Sequence, residues 1–497
     1  MRSSLVALTM LGIVAGCSST ADEGIRQTSN ATDGKGRDIL TQLASSLTIT
    51  EVAAFQSLKV TLEKDGVAVP ASLPILAGRD TLVRVYASPT AGATAEQVTA
   101  VLEVFDASGA LVTSLEDQKI IAAASTEGDL ASTFNFNVPA TDVPLGATFR
   151  VSLTTPATFN AKSPSKNAQF PADGTRSAMG VAAQAERLKI VFVPVHYTFG
   201  GADLLPDTSP EQIERDRKVF LSLYPLADVE ISMHAPYEFT GEIKANGQGF
   251  GQVLREMLAL RAADGAAGDV YYWGAFQPTA TMQEYCPQGC VTGLSGIYGP
   301  DGTNGRASVG VGFTGGNSSF TMAHEVGHAH GRPHAPCGGA AGPDPGFPYT
   351  DGSIGKWAFA PTSQKLIDPG TTKDFMSYCH PQWISDYNYN KLLERLTYVN
   401  QQAATATPPG AFAVKLPYRF VEVNPDGSLT LGNRIDLVEA PTGEPHAVSF
   451  KDKSGKTIAN GDAVFTPYDH IGGGYALVPE IDGAARVDID GLGTAKR

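Results

Sequence analysis

Hydrophobic and polar positions alternate in short runs from about Thr48 to Thr155. Leu82-Val83-Arg84-Val85-Tyr86, Ala100 to Phe105 and Thr148 to Leu153 have strand composition, and Asp106-Ala107-Ser108-Gly109 supplies a turn. This spacing predicts an all-β sandwich of about 100 residues. Pro156 to Glu186 is polar and rich in Pro, Ser and Ala, and reads as a linker. The pattern changes at Leu188. Leu188 to Val195 is nearly all apolar, as in a strand buried on both faces. Ser209-Pro210-Glu211-Gln212 predicts a helix start, with Ser as N-cap, Pro in the first turn and Gln completing a capping box. Val229, Ile231 and Met233 alternate with polar residues as a half-buried strand, and Gly251 to Ala263 predicts a second helix. Val270 to Phe276 and Ala307 to Phe313 read as further strands. The β-α-β-α-β order predicts a mixed three-layer α/β domain. Strand-like runs return after about Pro408 (Tyr418 to Val423, Ala447 to Phe450, Gly474 to Val478), as a second β domain.

Composition narrows the classes. A chain of 497 residues with 42% hydrophobic and 18% charged residues has room for two to four domains, each with its own core. The net charge of −14 argues against a nucleic-acid partner, which would require a basic face. At the N-terminus, Arg2 precedes the short apolar run Leu5 to Val14, which ends in Ile13-Val14-Ala15-Gly16-Cys17. That ending resembles the bacterial lipobox, and predicts a lipid-bearing Cys17 that anchors the chain to a bilayer of the cell envelope. An ordinary secretory signal, giving a secreted protein, is the alternative. The Ser/Thr/Asp/Gly-rich stretch up to about Ser46 reads as a solvated tether. Cys286, Cys290, Cys337 and Cys379 remain, an even number in an exported chain, with three pairings open. A local Cys286/Cys290 closure would leave Cys337 and Cys379 to join two loops; a four-cysteine zinc site is the rival.

The chemistry concentrates between His324 and His334. His324-Glu325-Val326-Gly327-His328-Ala329-His330-Gly331-Arg332-Pro333-His334 reads H-E-x-x-H-x-x-G-x-x-H. On a helix, His324 and His328 share one face and can hold one ion, with Glu325 near water bound to it. Gly331 is the residue type that ends a helix in the left-handed conformation, so the turn can return His334 as third ligand. Three neutral imidazoles and an open position suit a catalytic Zn2+. His330 fits no ligand position and reads as a surface histidine.

The motif is the metzincin signature, and the chain resembles that family of zinc proteases. Asp374-Phe375-Met376-Ser377-Tyr378-Cys379 is similar to the family's Met-turn, with Met376 as the methionine beneath the metal. Met-Ser-Tyr resembles the serralysin and astacin version, which implies that Tyr378 can reach the metal and support the oxyanion. By the same resemblance Asp386 to Asn400 is the helix closing the lower subdomain, and Arg306 to Phe313 is the edge strand that takes extended substrate by strand addition. A narrower likeness is to bacterial lipoprotein metalloproteases of the ToxR-regulated lipoprotein type, which cut mucin-type glycoproteins. Arg332-Pro333 and the loop Asp344-Pro345-Gly346-Phe347-Pro348-Tyr349 depart from the family's usual surroundings. Latency through a prodomain thiol is excluded, because no cysteine lies between Cys17 and Cys286.

The resulting expectation is a multidomain chain: a metzincin-like α/β (α+β) catalytic domain flanked by all-β sandwich-like domains. Its parts are a lipoprotein signal (1–16), a tether (17–46), a β-sandwich (47–156), a linker (157–186), the protease domain (187–407) and a C-terminal β domain (408–497). The expected activity is a zinc endopeptidase in which Glu325 activates water, acting on extracellular or envelope proteins. Two readings compete with it: a glycoprotein-directed protease whose β domains bind glycan, and a non-catalytic adhesin that keeps zinc for structure. The carboxylates from Asp368 to Asp374 would suit Ca2+, but no EF-hand or nonapeptide spacing supports a calcium site. Oligomeric state is not legible.

Overall fold

The computed structural model describes residues 25–32, 38–157, 162–183, 187–405 and 414–496. It is strand-rich and multidomain with few helices. The N-terminal part holds two antiparallel sheets. One runs Ile25–Thr32, Asp38–Leu43, Thr148–Pro156, Gln97–Phe105, Leu111–Ile120; the other Phe134–Val138, Thr81–Pro89, Leu47–Phe55, Lys59–Lys64, Val67–Ala68. Alternate residues of both sheets (Ile49, Val85 and Phe136 from one; Leu102, Val104 and Phe149 from the other) are buried in one core. That alternation is the period the sequence displays.

Two expectations change here. Asp38–Leu43, read as tether, pairs antiparallel with Thr148–Pro156, and Ile25–Thr32 pairs with it in turn. A polar segment needs no hydrophobic payload to join a sheet edge, where backbone hydrogen bonds suffice, so composition alone misplaces it. The segment read as a linker also docks. Gln169–Phe170 and Ser177–Ala178 pair with Thr148–Pro156, and Val181–Ala182 runs parallel to Ile75–Leu76. Isolated apolar side chains, Phe170 and Met179 above all, pin it to the core.

In the middle region the sheet order is Val229–Met233, Leu188–Tyr197, Val270–Phe276, Ala307–Val311, Gly293–Ser295, parallel except for the last strand. Helices α1 (Pro210–Leu223), α2 (Phe250–Ala263), α3 (Met282–Tyr285), α4 (Gly316–Ala329) and α5 (Asp386–Thr405) surround it. Gly274 lies against Met257 of α2, whereas Gly310, which pairs with Ala275 and so faces the other way, lies against Thr321 of α4. The two helices therefore cover opposite faces of the sheet. Ser209 caps α1 by accepting from the Gln212 N–H at 3.3 Å. The Gln212 side chain does not complete a capping box: it accepts from Gly315 N at 2.8 Å and donates to Ser319 Oγ at 3.1 Å, tying α1 to the start of α4. The outer strand is a further correction. Ala307–Val311 is fully buried, because the antiparallel Gly293–Ser295 covers its free side and becomes the edge.

After α5 the chain forms a seven-stranded antiparallel sheet, from Leu416–Val423 to Gly493–Lys496. It docks on α2. Arg255 forms an ion pair with Glu422 and donates to Tyr468 Oη at 3.2 Å, and Tyr475 Oη donates to Tyr298 Oη at 3.3 Å. Among the described residues no helix is long and apolar enough to cross a membrane. Met1 to Gly24, with the signal-like run and Cys17, lies outside the described residues.

Candidate metal centre

Helix α4 carries His324, Glu325 and His328 and ends where the glycine allows. Gly331 has φ +77°, its N–H donates to His328 O at 2.7 Å, and Arg332 N donates to Gly327 O at 3.0 Å. This pair of bonds closes the helix as a Schellman motif and swings the chain back. A Cβ at Gly331 would lie 2.6 Å from the Tyr298 carbonyl, so glycine is required for space as well as for φ. His334 then faces the two helix histidines, with ring centroids 5.5 Å from His324 and 4.6 Å from His328.

Backbone carbonyls fix the three rings. The Nδ1–H groups of His324, His328 and His334 donate to Phe375 O (2.7 Å), Arg332 O (2.6 Å) and Ala341 O (2.6 Å). A carbonyl can only accept, so each Nε2 bears a lone pair directed inward. His324 Nε2 and His328 Nε2 face each other at 3.0 Å, and the buried Nε2 of His334 has no hydrogen-bond partner. Facing lone pairs repel unless a cation lies between them, so this donor set fits a metal ion. Burial, reinforced by the neighbouring histidines, holds the proton affinity of His324 and His328 well below the usual histidine range; burial does the same to His334. Neutral imidazoles are the ligand form.

The floor is the turn at Met376, which is fully buried. A Cβ on Gly327 would stand 2.7 Å from Met376 Sδ, so the helix glycine and the methionine fit one another. Asp374 shapes the turn: it accepts from Met376 N, Ser385 N and Asn388 Nδ2, each at 2.8 Å. Asp368 accepts from Gly370 N at 2.7 Å. Of the carboxylates weighed for calcium, Asp368 is thus bonded to its own loop and Asp374 to its turn and the start of α5. Cys337 pairs with Cys379 and Cys286 with Cys290. Arg332 donates to Asn388 Oδ1 (3.0 Å) and to Asp344 Oδ2 (2.7 Å), which explains the unassigned loop: it bolts the segment around His334 to α5.

His330 corrects an expectation. It is buried, stacked on Tyr271 at 4.2 Å, with Nδ1 bonded to Val326 O, and burial pushes its pKa down to about 3. Packed behind the helix, its ring is part of the core and away from the ligands.

Glu325 is buried beside the three histidines, with Oε2 unpartnered. Gly293 on the edge strand makes room for it; a Cβ there would lie 2.4 Å from Oε1. Burial first, and Asp469 second, raise its proton affinity well above the ordinary glutamate range. Tyr378 reaches the same centre, its ring 4.9 Å from that of His334. The cleft in front, about 700 Å³, is lined by Met282, Val291, Phe320 and Thr321 as well as His324 and Tyr378.

Two residues of the site escape sequence reasoning. Asp469 and His470 come from the loop between Thr457–Pro467 and Gly474–Pro479 of the C-terminal sheet. His470 Nε2 lies 2.8 Å from Glu325 Oε1, its Nδ1 bonds the Tyr378 hydroxyl, and Asp469 Oδ2 lies 3.2 Å from His328 Nε2. Burial opposes the charge on His470, but the carboxylates of Asp469 and Glu325 prevail and raise its pKa to about 9. Two groups of metal-ligating atoms result, each within 4.8 Å: His324, His328, His334, His470, and Glu325, His328, Asp469, His470. The only local signal was a histidine beside the glycine run Gly472-Gly473-Gly474.

Residues 277–408 match the family model Peptidase M66. The matched stretch contains α4, His334 and the turn at Met376, and supports a peptidase of a metal-dependent kind. No curated protein matches the chain.

Proposed function

We propose that the chain is a zinc-dependent endopeptidase of metzincin type. The observation that carries this reading is the convergence of three Nε2 lone pairs, each aimed by a carbonyl on the opposite ring nitrogen, beside a buried glutamate with a free oxygen. His324, His328 and His334 would hold the ion, which when bound polarises the scissile carbonyl and lowers the pKa of water to about 7. Glu325 takes the proton of the attacking water as the C–O bond forms, and passes it to the amine nitrogen as the C–N bond breaks. Tyr378, when free of His470, presents its hydroxyl to the substrate oxygen, which bears the developing charge. Met376 and Asp374 touch no substrate; they keep the floor rigid. An extended peptide would align along Gly293–Ser295, the edge of the sheet, by strand addition. The substrates in this reading are extracellular or envelope proteins, met by a chain anchored through Cys17.

The test is cleavage of a mixed protein and mucin panel by the full chain and by Glu325→Ala, with bound metal quantified in both. The expected outcome is loss of about 10³-fold or more in rate with about one zinc retained. Equal cleavage by the two forms, or zinc uptake unaffected by His334→Ala, would overturn the assignment.

A further inference from the structure

The C-terminal loop at the metal centre meets every group that catalysis would use. Tyr468 forms an antiparallel bridge with Gly296, Asp469 N donates to Ser295 O at 3.3 Å, and Ser295 N donates to Asp469 Oδ1 at 3.1 Å. The loop therefore continues the sheet along the Gly293–Ser295 edge, where an extended substrate would add. The His470 ring stacks on His324 at 5.1 Å and on Tyr378 at 5.3 Å. Its ring nitrogen at 2.8 Å from Glu325 Oε1 belongs to a residue whose ligand atom lies within 4.8 Å of those of His324, His328 and His334, so the imidazole competes for the place of a water that Glu325 would deprotonate. The Tyr378 hydroxyl is bonded to the same ring.

Resting on the metal-peptidase reading, we infer that the loop Tyr468–Gly473 is an internal cap, with His470 taking the fourth ligand position, so that the chain folded this way is latent. The cap is built from the molecule's own substrate geometry: a strand register for the backbone and an imidazole in the water position. It is firmly seated at its base. Tyr468 donates to Glu422 Oε2 at 3.0 Å, and Ile471 packs where a Cβ on Gly247 would meet it at 2.8 Å. Its far side runs into Gly472-Gly473-Gly474, where Gly473 has φ +89° and passes so close to Val423 O that a Cβ would lie 2.0 Å from it. A four-nitrogen set leaves no open position, and an open position is what distinguishes a catalytic zinc site from a structural one. Activity would then follow the fraction of molecules with the loop withdrawn.

The test loads the full chain with Co2+ and records its visible absorption, its affinity for a small hydroxamate and its peptide cleavage. Wild type is compared with His470→Ala, His470→Phe and His334→Ala; the Phe variant keeps the ring packing if Ala disturbs folding. The expected result is a changed Co2+ spectrum in both His470 variants as one nitrogen ligand is lost. In His470→Ala, hydroxamate binding tightens and cleavage rises by at least about tenfold, since apparent affinity scales in proportion to the open fraction. Unchanged spectra and hydroxamate affinity overturn the cap, as does cleavage that falls with the spectrum unchanged, which would make His470 part of the machinery. Failure of any form to take up Co2+ removes the metal centre itself; a spectrum that depends on His334 but not on His470 overturns the cap alone.

Discussion

Glu63 sits in the N-terminal β region with its side chain out of contact with solvent and one carboxylate oxygen unpartnered. Desolvation raises its pKa to about 7, against the Gly66 N–H bond and the charge of Lys64. The proton is therefore held more tightly in the folded chain than in the unfolded one. That contribution to stability is complete below about pH 4.5 and is lost as pH rises through about 7, amounting to about 3 kcal/mol. Glu63→Gln should flatten this dependence: its melting temperature should exceed that of wild type at pH 8 and match it near pH 4.5. Melting curves at both pH values check this. At the centre, the grouping of His324, Glu325, His328 and His334 was readable because the spacing follows from helix geometry and a glycine stop, whereas Met376 and Tyr378 stood out only through the resemblance of their turn to a known family's. His330 was misjudged because a helix histidine without a ligand position reads as exposed unless its packing against Tyr271 is known.

At the scale of elements, the centre depends on two loops held together from outside. The Cys337–Cys379 bond spans 42 residues and ties the segment after His334 to the residue following Tyr378. Cys286–Cys290 closes only four. Chain entropy makes the first worth about 4 kcal/mol and the second about 2 kcal/mol. Replacing Cys337 and Cys379 by Ser should lower the thermal midpoint more than replacing Cys286 and Cys290. Only the first change should speed loss of metal to a chelator, because only that bond bridges the His334 segment and the Met376 turn. Calorimetry and a chelator time course separate the two. Several elements were legible: α1 starts after Ser209 and α2 spans Phe250–Ala263 as the pattern predicts, and α5 starts at Asp386 as the resemblance implied. The edge strand was not. Gly293–Ser295 is three residues long, and nothing in so short a run signals that it covers Ala307–Val311.

Over the whole molecule, one continuous core takes in residues from Ala44 to Leu477, so the three parts do not swing as separate beads. Arg79 is the joint between the first two. It is buried and donates to Tyr224 O (2.8 Å), Leu221 O (2.6 Å) and Gln56 O (3.1 Å), and burial lowers its proton affinity. A cation at the C-terminal carbonyls of α1 also offsets the helix dipole. Arg79→Met should cost about 3 kcal/mol by leaving those carbonyls unpaired, and should loosen the N-terminal sheets from α1. Hydrogen exchange at Phe220–Tyr224 should rise, while Co2+ uptake persists. The hydrophobic pattern suggested β, mixed and β regions but gave no sign of this joint or of the return of the C-terminal loop, since contacts between distant segments leave no periodicity. That return also sets an order in time. Glu325 and His470 are 145 residues apart, and synthesis proceeds at about 5–20 residues per second, so their emergence is separated by roughly 7–30 s. A chain that folded as it was made would display an uncovered three-histidine centre for that interval; one that folds only after the whole length is free never does.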